Sequence, residues 1–272
     1  MDIPHAEWYR AIRHRRSRRS YDGVPLEPET IERLRTVCRE FRPFPEVRSE
    51  VIEDDPDKVL RGILGSYGKI KGAPALIAFV GRMDDPHVQE KLGYTGEGII
   101  LEATSMGLGT CWVGGFFRPR VAGSLIGLTG KEKVVAVTPV GRMRDRFSRE
   151  ERVMTGFGLM HRRKSLAALT GGADMGLLPE WAKAALEAAR IAPSAVNRQP
   201  WRCRADAGSI TVSVDSPGFD ISISRRLDCG IAMLHIEVAA LEYGVQGRWE
   251  FLSHPGVARF TVQQVPRDQT GK

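Results

Sequence analysis

Two stretches of this chain carry apolar residues at helical spacing between a Pro-Glu start and a proline stop. They are LEPETIERLRTVCREFRP, Leu26 to Pro43, and LLPEWAKAALEAARIAP, Leu177 to Pro193. Proline suits the first turn of a helix, where its missing N–H costs nothing, and it ends one when it follows the last turn. The pattern therefore predicts a helix in each stretch. A second pair follows in the same order: YTGEGIILEATSMGLGT, Tyr94 to Thr110, and CGIAMLHIEVAALEYGV, Cys229 to Val245. Each sets Gly-Ile ahead of Glu-Ala or Glu-Val and closes on a glycine region. Both are apolar nearly all round, the signature of a helix buried on several sides. Strand-like runs fill the gaps: RSEVIE, APALIAFVGR and KVVAVTPVGR in the first half, SITVSVD and ARFTVQQV in the second.

The recurring order is an internal repeat. Mixed helix and strand with antiparallel-like alternation reads as α+β. Two such units, each with one very apolar helix, bury those helices by packing them together, which makes an internally duplicated pseudo-dimer in one chain. The expected halves are residues 1–170 and 171–272, packed as one unit, with TGGADMG, Thr170 to Gly176, as the joining segment. Two independent domains on a linker is the competing arrangement.

Composition narrows the function classes. The chain of 272 residues is 42% hydrophobic and 27% charged, ordinary for a globular protein. It has no apolar run long enough for a membrane span and no signal-peptide pattern at its start, which points to a cytoplasmic protein without a membrane partner. Cys38, Cys111, Cys203 and Cys229 are scattered without ligand spacing, so thiols are expected, with neither disulfide nor metal. The net charge of +7 is concentrated: six arginines lie between Arg10 and Arg19, and a second basic knot follows at His161 to Lys164. Such clusters serve solvated helix faces, nucleic-acid arms and anion sites alike. No nucleophile elbow, metalloprotease helix or dinucleotide-binding turn is present.

Four segments give the charge a context: RRSRRSY at Arg15, GLGTCWVGGF at Gly107, RKSL at Arg163 and APSAVNRQPW at Ala192. In this order they resemble the signature segments of the FMN-dependent nitroreductase family, and more narrowly its single-chain, fused-dimer branch of the Thermotoga type. The resemblance implies a nitroreductase-like fold with a mixed or antiparallel sheet flanked by helices in each half. It implies FMN at the internal seam and NAD(P)H as reductant. By motif position it assigns Arg15, Arg16 and Ser17 to the phosphate and ribityl region and Arg19 to the pyrimidine edge of the ring. Arg163 and Lys164 match a basic pair closing over the phosphate. The competing reading makes HRRKSLAAL a decayed copy of HRRSRRSYD. Pro193 and Ser194 would lie against the ring system, and Asn197 would offer its amide to flavin or ribityl oxygens. Gly114 and Gly115 would let backbone N–H groups approach the ring, and Lys69 would reach the pyrimidine side. Gln199, Pro200 and Trp201 would shape the loop and start the next strand.

Arginine suits the phosphate because its planar fork stays charged and binds oxygens in pairs. The family's typical acceptors are nitroaromatics and quinones, reduced in a ping-pong cycle. The alternative is an FMN-binding or flavin-depleted relative without reductase activity. No residue stands out as a general acid, and the catalytic chemistry is expected from the cofactor. The mirror-related site should be vacant, since FRPFPEVRS in the first half carries no serine or asparagine in matching places. One chain then holds one complete site as a monomer, with a homodimer as the alternative assembly.

Overall fold

The computed structural model describes residues 1–60, 70–144, 162–216 and 223–263. In the first half, α1 (His5–His14), α2 (Pro28–Glu40) and α3 (Pro56–Leu60) accompany β1 (Val47–Ile52) and β2 (Ala75–Arg82). They are followed by α4 (Val88–Ser105), β3 (Gly109–Thr110), α5 (Pro119–Ile126) and β4 (Glu132–Gly141). The first half closes with α6 (Leu166–Thr170); the second runs through α7 (Glu180–Arg190), β5 (Trp201–Ala205) and β6 (Ser209–Val214), then α8 (Arg225–Glu242), β7 (Gly247–Phe251) and β8 (Gly256–Val262). The predicted helices and strands appear at their expected places. The stretch Phe116 to Leu125 contains most of α5, opened by Pro119 and stopped by Gly127 in the left-handed region.

Each half forms a four-stranded antiparallel sheet, in the orders β1-β2-β4-β3 and β5-β6-β8-β7. The second order repeats the first strand for strand. The repeat extends to the bulges: one lies between Phe79 and Val80, the other between Val212 and Ser213. It also fixes a residue-level equivalence. Thr110 pairs with Val140, and Val113 bridges Val137; Gly247 pairs with Val262, and Glu250 with Arg259. Trp112-Val113-Gly114 and Trp249-Glu250-Phe251 therefore hold corresponding positions.

The two apolar helices, α4 and α8, cross at the centre. A Cβ on Gly93 would lie 2.0 Å from the Leu227 carbonyl oxygen, and one on Gly230 would lie 2.0 Å from that of Glu90. The two contacts are images of each other, because Glu90 precedes Gly93 by the interval at which Leu227 precedes Gly230. Backbone meets backbone here, so a single methyl on either glycine forces the helices apart. The core built around this crossing draws on both halves, including Trp8, Phe79 and Ile99 with Trp181, Trp201 and Phe260. All four cysteines are buried thiols. Among the described residues, no helix is long and apolar enough to cross a membrane.

Candidate functional site

The crossing leaves two seams, one at each end of the helix pair. At the N-terminal end of α8 the seam opens into a cleft of about 90 Å³, partly open to solvent. Ser17 and Arg19 enter it from the segment after α1, and Gly114 and Gly115 from the turn after β3. Pro193 and Ser194 enter from the loop after α7. Ile223, Leu227 and Ile231 provide an apolar wall from the start of α8.

The arginine segment is held by strand-like pairing. Ser17 bridges Thr110 in parallel, the Arg18 N–H donates to the Thr110 carbonyl at 2.8 Å, and the buried Tyr21 hydroxyl donates to the Arg18 carbonyl at 2.7 Å. Alternation along this extended stretch puts Ser17 and Arg19 on the cleft side.

Positive charge gathers behind the cleft. Arg15 is buried, with Nε 3.8 Å from Glu97 Oε1, and its Nη1 has no hydrogen-bond partner among the described residues. Burial lowers its pKa. The Arg163 guanidinium is pushed down to about 10, first by burial and then by the charges of Arg15 and Arg16. Arg16 is exposed and turns its Nη1 onto the carbonyls of Arg13 and Arg15, each at 2.8 Å. Three guanidiniums that repel one another, one with a buried N–H left unsatisfied by the described residues, make a site that favours an anion.

The loop after α7 is strained. Val196, Asn197 and Gln199 have φ of +47°, +55° and +48°, a region that a β-branched valine rarely adopts and that costs about 1–3 kcal/mol per residue. Polar contacts hold it there. The Gln199 N–H donates to Ser194 Oγ at 2.9 Å, and Lys164 donates from its backbone N–H to Gln199 Oε1 and from Nζ to the Gln199 carbonyl, both at 2.8 Å. Arg163 Nη1 donates to the Ala192 carbonyl and to Asn197 Oδ1 at 2.7 and 3.1 Å. Asn197 Nδ2 donates to the Arg162 carbonyl at 2.9 Å. From α8, Asp228 accepts from the Ala195 N–H at 3.0 Å and from Arg198 Nε at 2.7 Å.

Of the residues picked out from sequence, Ser17, Arg19, Gly114, Gly115, Pro193 and Ser194 line the cleft. Arg15, Arg16, Arg163, Lys164 and Asn197 stand around and behind it, and Lys69 lies outside the described residues. Asn197 and Lys164 are engaged in bracing the loop. Sequence reasoning passed over Asp228, which ties the loop to α8, and Ile223, whose side chain would sit 3.1 Å from a Cβ on Gly114. It also passed over Glu97 and His235, wholly buried in α4 and α8. Their signal was available: a charged or imidazole side chain in a helix apolar on all sides needs a partner.

The other seam is filled. Phe251 takes the place of Gly114, and Phe44, one residue past Pro43, takes that of Ser194 past Pro193. The two rings meet edge to face at 5.5 Å; Phe44 also meets Tyr94 at 5.3 Å, and His87 stacks on Phe251 at 5.1 Å. Lys91, in the position of Asp228, lies over Phe44 and Phe251 at 5.9 and 5.3 Å while pairing with Asp85 and Glu46. The mirror place lacks the polar parts, as its sequence implies, and aromatic packing occupies it.

A family model described as "Putative TM nitroreductase" matches residues 7–240. A solved structure from Thermotoga maritima, described as a "putative nitroreductase", is similar over 96% of this chain and 96% of its own, with 20% identity and a TM-score of 0.63. That likeness establishes the shared fold. An FMN-dependent nitroreductase from Clostridium difficile aligns over 51% of this chain and 88% of its own at 18% identity, TM-score 0.42. A nitroreductase with bound FMN from Bacteroides fragilis aligns over 52% and 91% at 17% identity, TM-score 0.42. No curated protein sequence matches the chain.

Proposed function

Since the chain belongs to the nitroreductase family whose model spans residues 7–240, an oxidoreductase family, we infer that it is an FMN-dependent NAD(P)H oxidoreductase. The observation carrying this reading is the pairing of an apolar cleft with an anion-seeking arginine group, Arg15 Nη1 being buried and without a hydrogen-bond partner among the described residues. FMN joins an apolar ring to a phosphate dianion, and the donor set fits both parts. Arg15, Arg16 and Arg163 would hold the phosphate, and Ser17 the ribityl region. Arg19 would meet the pyrimidine edge, where a cation raises the cofactor's potential. Pro193, Ser194, Ile223 and Leu227 would cover the ring.

When bound, FMN supplies the hydride and electron chemistry. The chain supplies orientation, a fixed positive field and a partly water-free wall. Reductant and acceptor would use the cleft in turn, with nitroaromatics or quinones as the acceptor class. Because the arginines come from the first half and the loop from the second, one chain completes the site. We read residues 1–170 and 171–272 as its two contributors and the monomer as sufficient.

The purified protein should be yellow, and NADH or NADPH should bleach it without oxygen. Flavin that neither nucleotide bleaches would replace this reading with flavin binding without reductase activity. Protein that takes up no FMN would overturn it.

A further inference from the structure

We propose that Glu97 and His235 are positioning residues that hold Arg15 in place for the phosphate of the ligand, an inference that rests on the flavin reading above. Glu97 belongs to α4 in the first half and His235 to α8 in the second, and both are wholly buried. Glu97 Oε2 accepts from Trp112 Nε1, a cleft-lining indole, at 2.7 Å. Its Oε1 is 3.0 Å from His235 Nε2 and 3.8 Å from Arg15 Nε. His235 Nδ1 is 2.9 Å from the Ala188 carbonyl. A carbonyl only accepts, so Nδ1 carries a proton and donates. One further proton then joins Nε2 to the Glu97 carboxyl, on either atom. The result is a continuous buried chain of contacts from Arg15 through Glu97 and His235 to the last turn of α7, which launches the strained loop. The arginine wall and the loop wall of the cleft are thus registered against one carboxylate.

The filled seam separates what packing needs from what the cleft adds. There Glu237 of α8 accepts from Trp249 Nε1 at 2.7 Å and from the Tyr94 hydroxyl at 2.6 Å. A helix carboxylate under its own half's indole and a ring from the other half therefore occurs at both seams. At the open one that ring is an imidazole in place of a phenol, and a guanidinium is added. The shared proton leaves the Glu97–His235 pair neutral overall, so Glu97 serves Arg15 through the carboxyl oxygen it turns toward Nε; without that oxygen the buried guanidinium loses the group that fixes its position.

The test compares FMN with riboflavin, which lacks the phosphate, by quenching of flavin fluorescence on the full-length, flavin-freed protein. Glu97→Gln is expected to weaken FMN binding about tenfold or more, the worth of one charge-assisted bond. Riboflavin affinity should stay within about twofold, since no phosphate contact is involved. Glu237→Gln should leave the FMN-to-riboflavin ratio unchanged. Should Glu97→Gln fail to fold, Glu97→Asp, which keeps the carboxyl but withdraws it from Arg15, should still lower the ratio. A ratio unchanged or raised by the Glu97 variants, or lowered equally by Glu237→Gln, would overturn the inference while leaving the flavin reading intact. A wild-type protein that binds neither flavin would overturn both.

Discussion

The two seams of this molecule are made from the same parts in the same order and have opposite characters. Each has a central helix carboxylate beneath an indole, a turn after the third strand and a loop after a proline-stopped helix. At one, Gly114 and Ser194 leave room, and Arg15, Arg16 and Arg163 crowd positive charge against it. At the other, Phe251 and Phe44 close the space, and Lys91 is neutralised by Asp85 and Glu46. Burial shapes the ionisable groups at both ends. It pushes Glu237 and Tyr94 up, where only neutral donors face the carboxyl, and it pushes Arg15 and Arg163 down. A duplicated fold can thus give one seam to stability and the other to a ligand by exchanging small residues for aromatic ones, the central helix crossing being left intact.

The sharpest way to break the contrast is to exchange the residues that create it. Phe44→Ser combined with Phe251→Gly places the open cleft's residues in the filled seam. It should cost about 5 kcal/mol of stability in a denaturant titration, as removal of packed phenyl rings does. It should add no second flavin, because the described residues there hold no counterpart of the Arg15, Arg16 and Arg163 group. A smaller effect is expected from Arg15→Gln at the open seam. FMN affinity should fall up to about a hundredfold, the value of a buried charged bond, with riboflavin little affected.

The smallest effect concerns pH. Because burial raises the folded-state pKa of Glu237, its contribution is fully present below the unfolded value and is lost as pH rises through the folded one. Glu237→Gln should therefore be near neutral in acid and stabilising, relative to wild type, above neutrality. Thermal unfolding followed across that range would show it, and a penalty growing with pH would refute it.

Much of this was legible in the chain. Proline-bounded helices, all-apolar central helices and β-branched strands declared themselves because period and punctuation agreed. The weak points are physical. β3 is two residues long and contains glycine, too short for any period to register. β7, GRWEF, alternates without a β-branched residue. α1 was obscured by its own arginines, although HAEWYRAIRH places Trp8, Ala11 and Ile12 on one buried face. At the site, the motif residues of the cleft rim were readable, whereas its wall of Ile223, Leu227 and Ile231 resembles any buried helix start. The aromatic filling of the mirror seam emerges when Gly93 is set on Gly230 and Trp112 on Trp249, which equates Gly114 with Phe251; pairing Tyr94 to Thr110 with Cys229 to Val245 sets the halves two residues out of that register.

One seam is open to a flavin and the other closed. The most direct check is the amount of FMN extracted per chain after saturation, with chain concentration fixed by amino-acid analysis. One flavin per chain is the predicted result. Two per chain would show that the aromatic seam also binds, and none would remove the ligand on which the comparison stands.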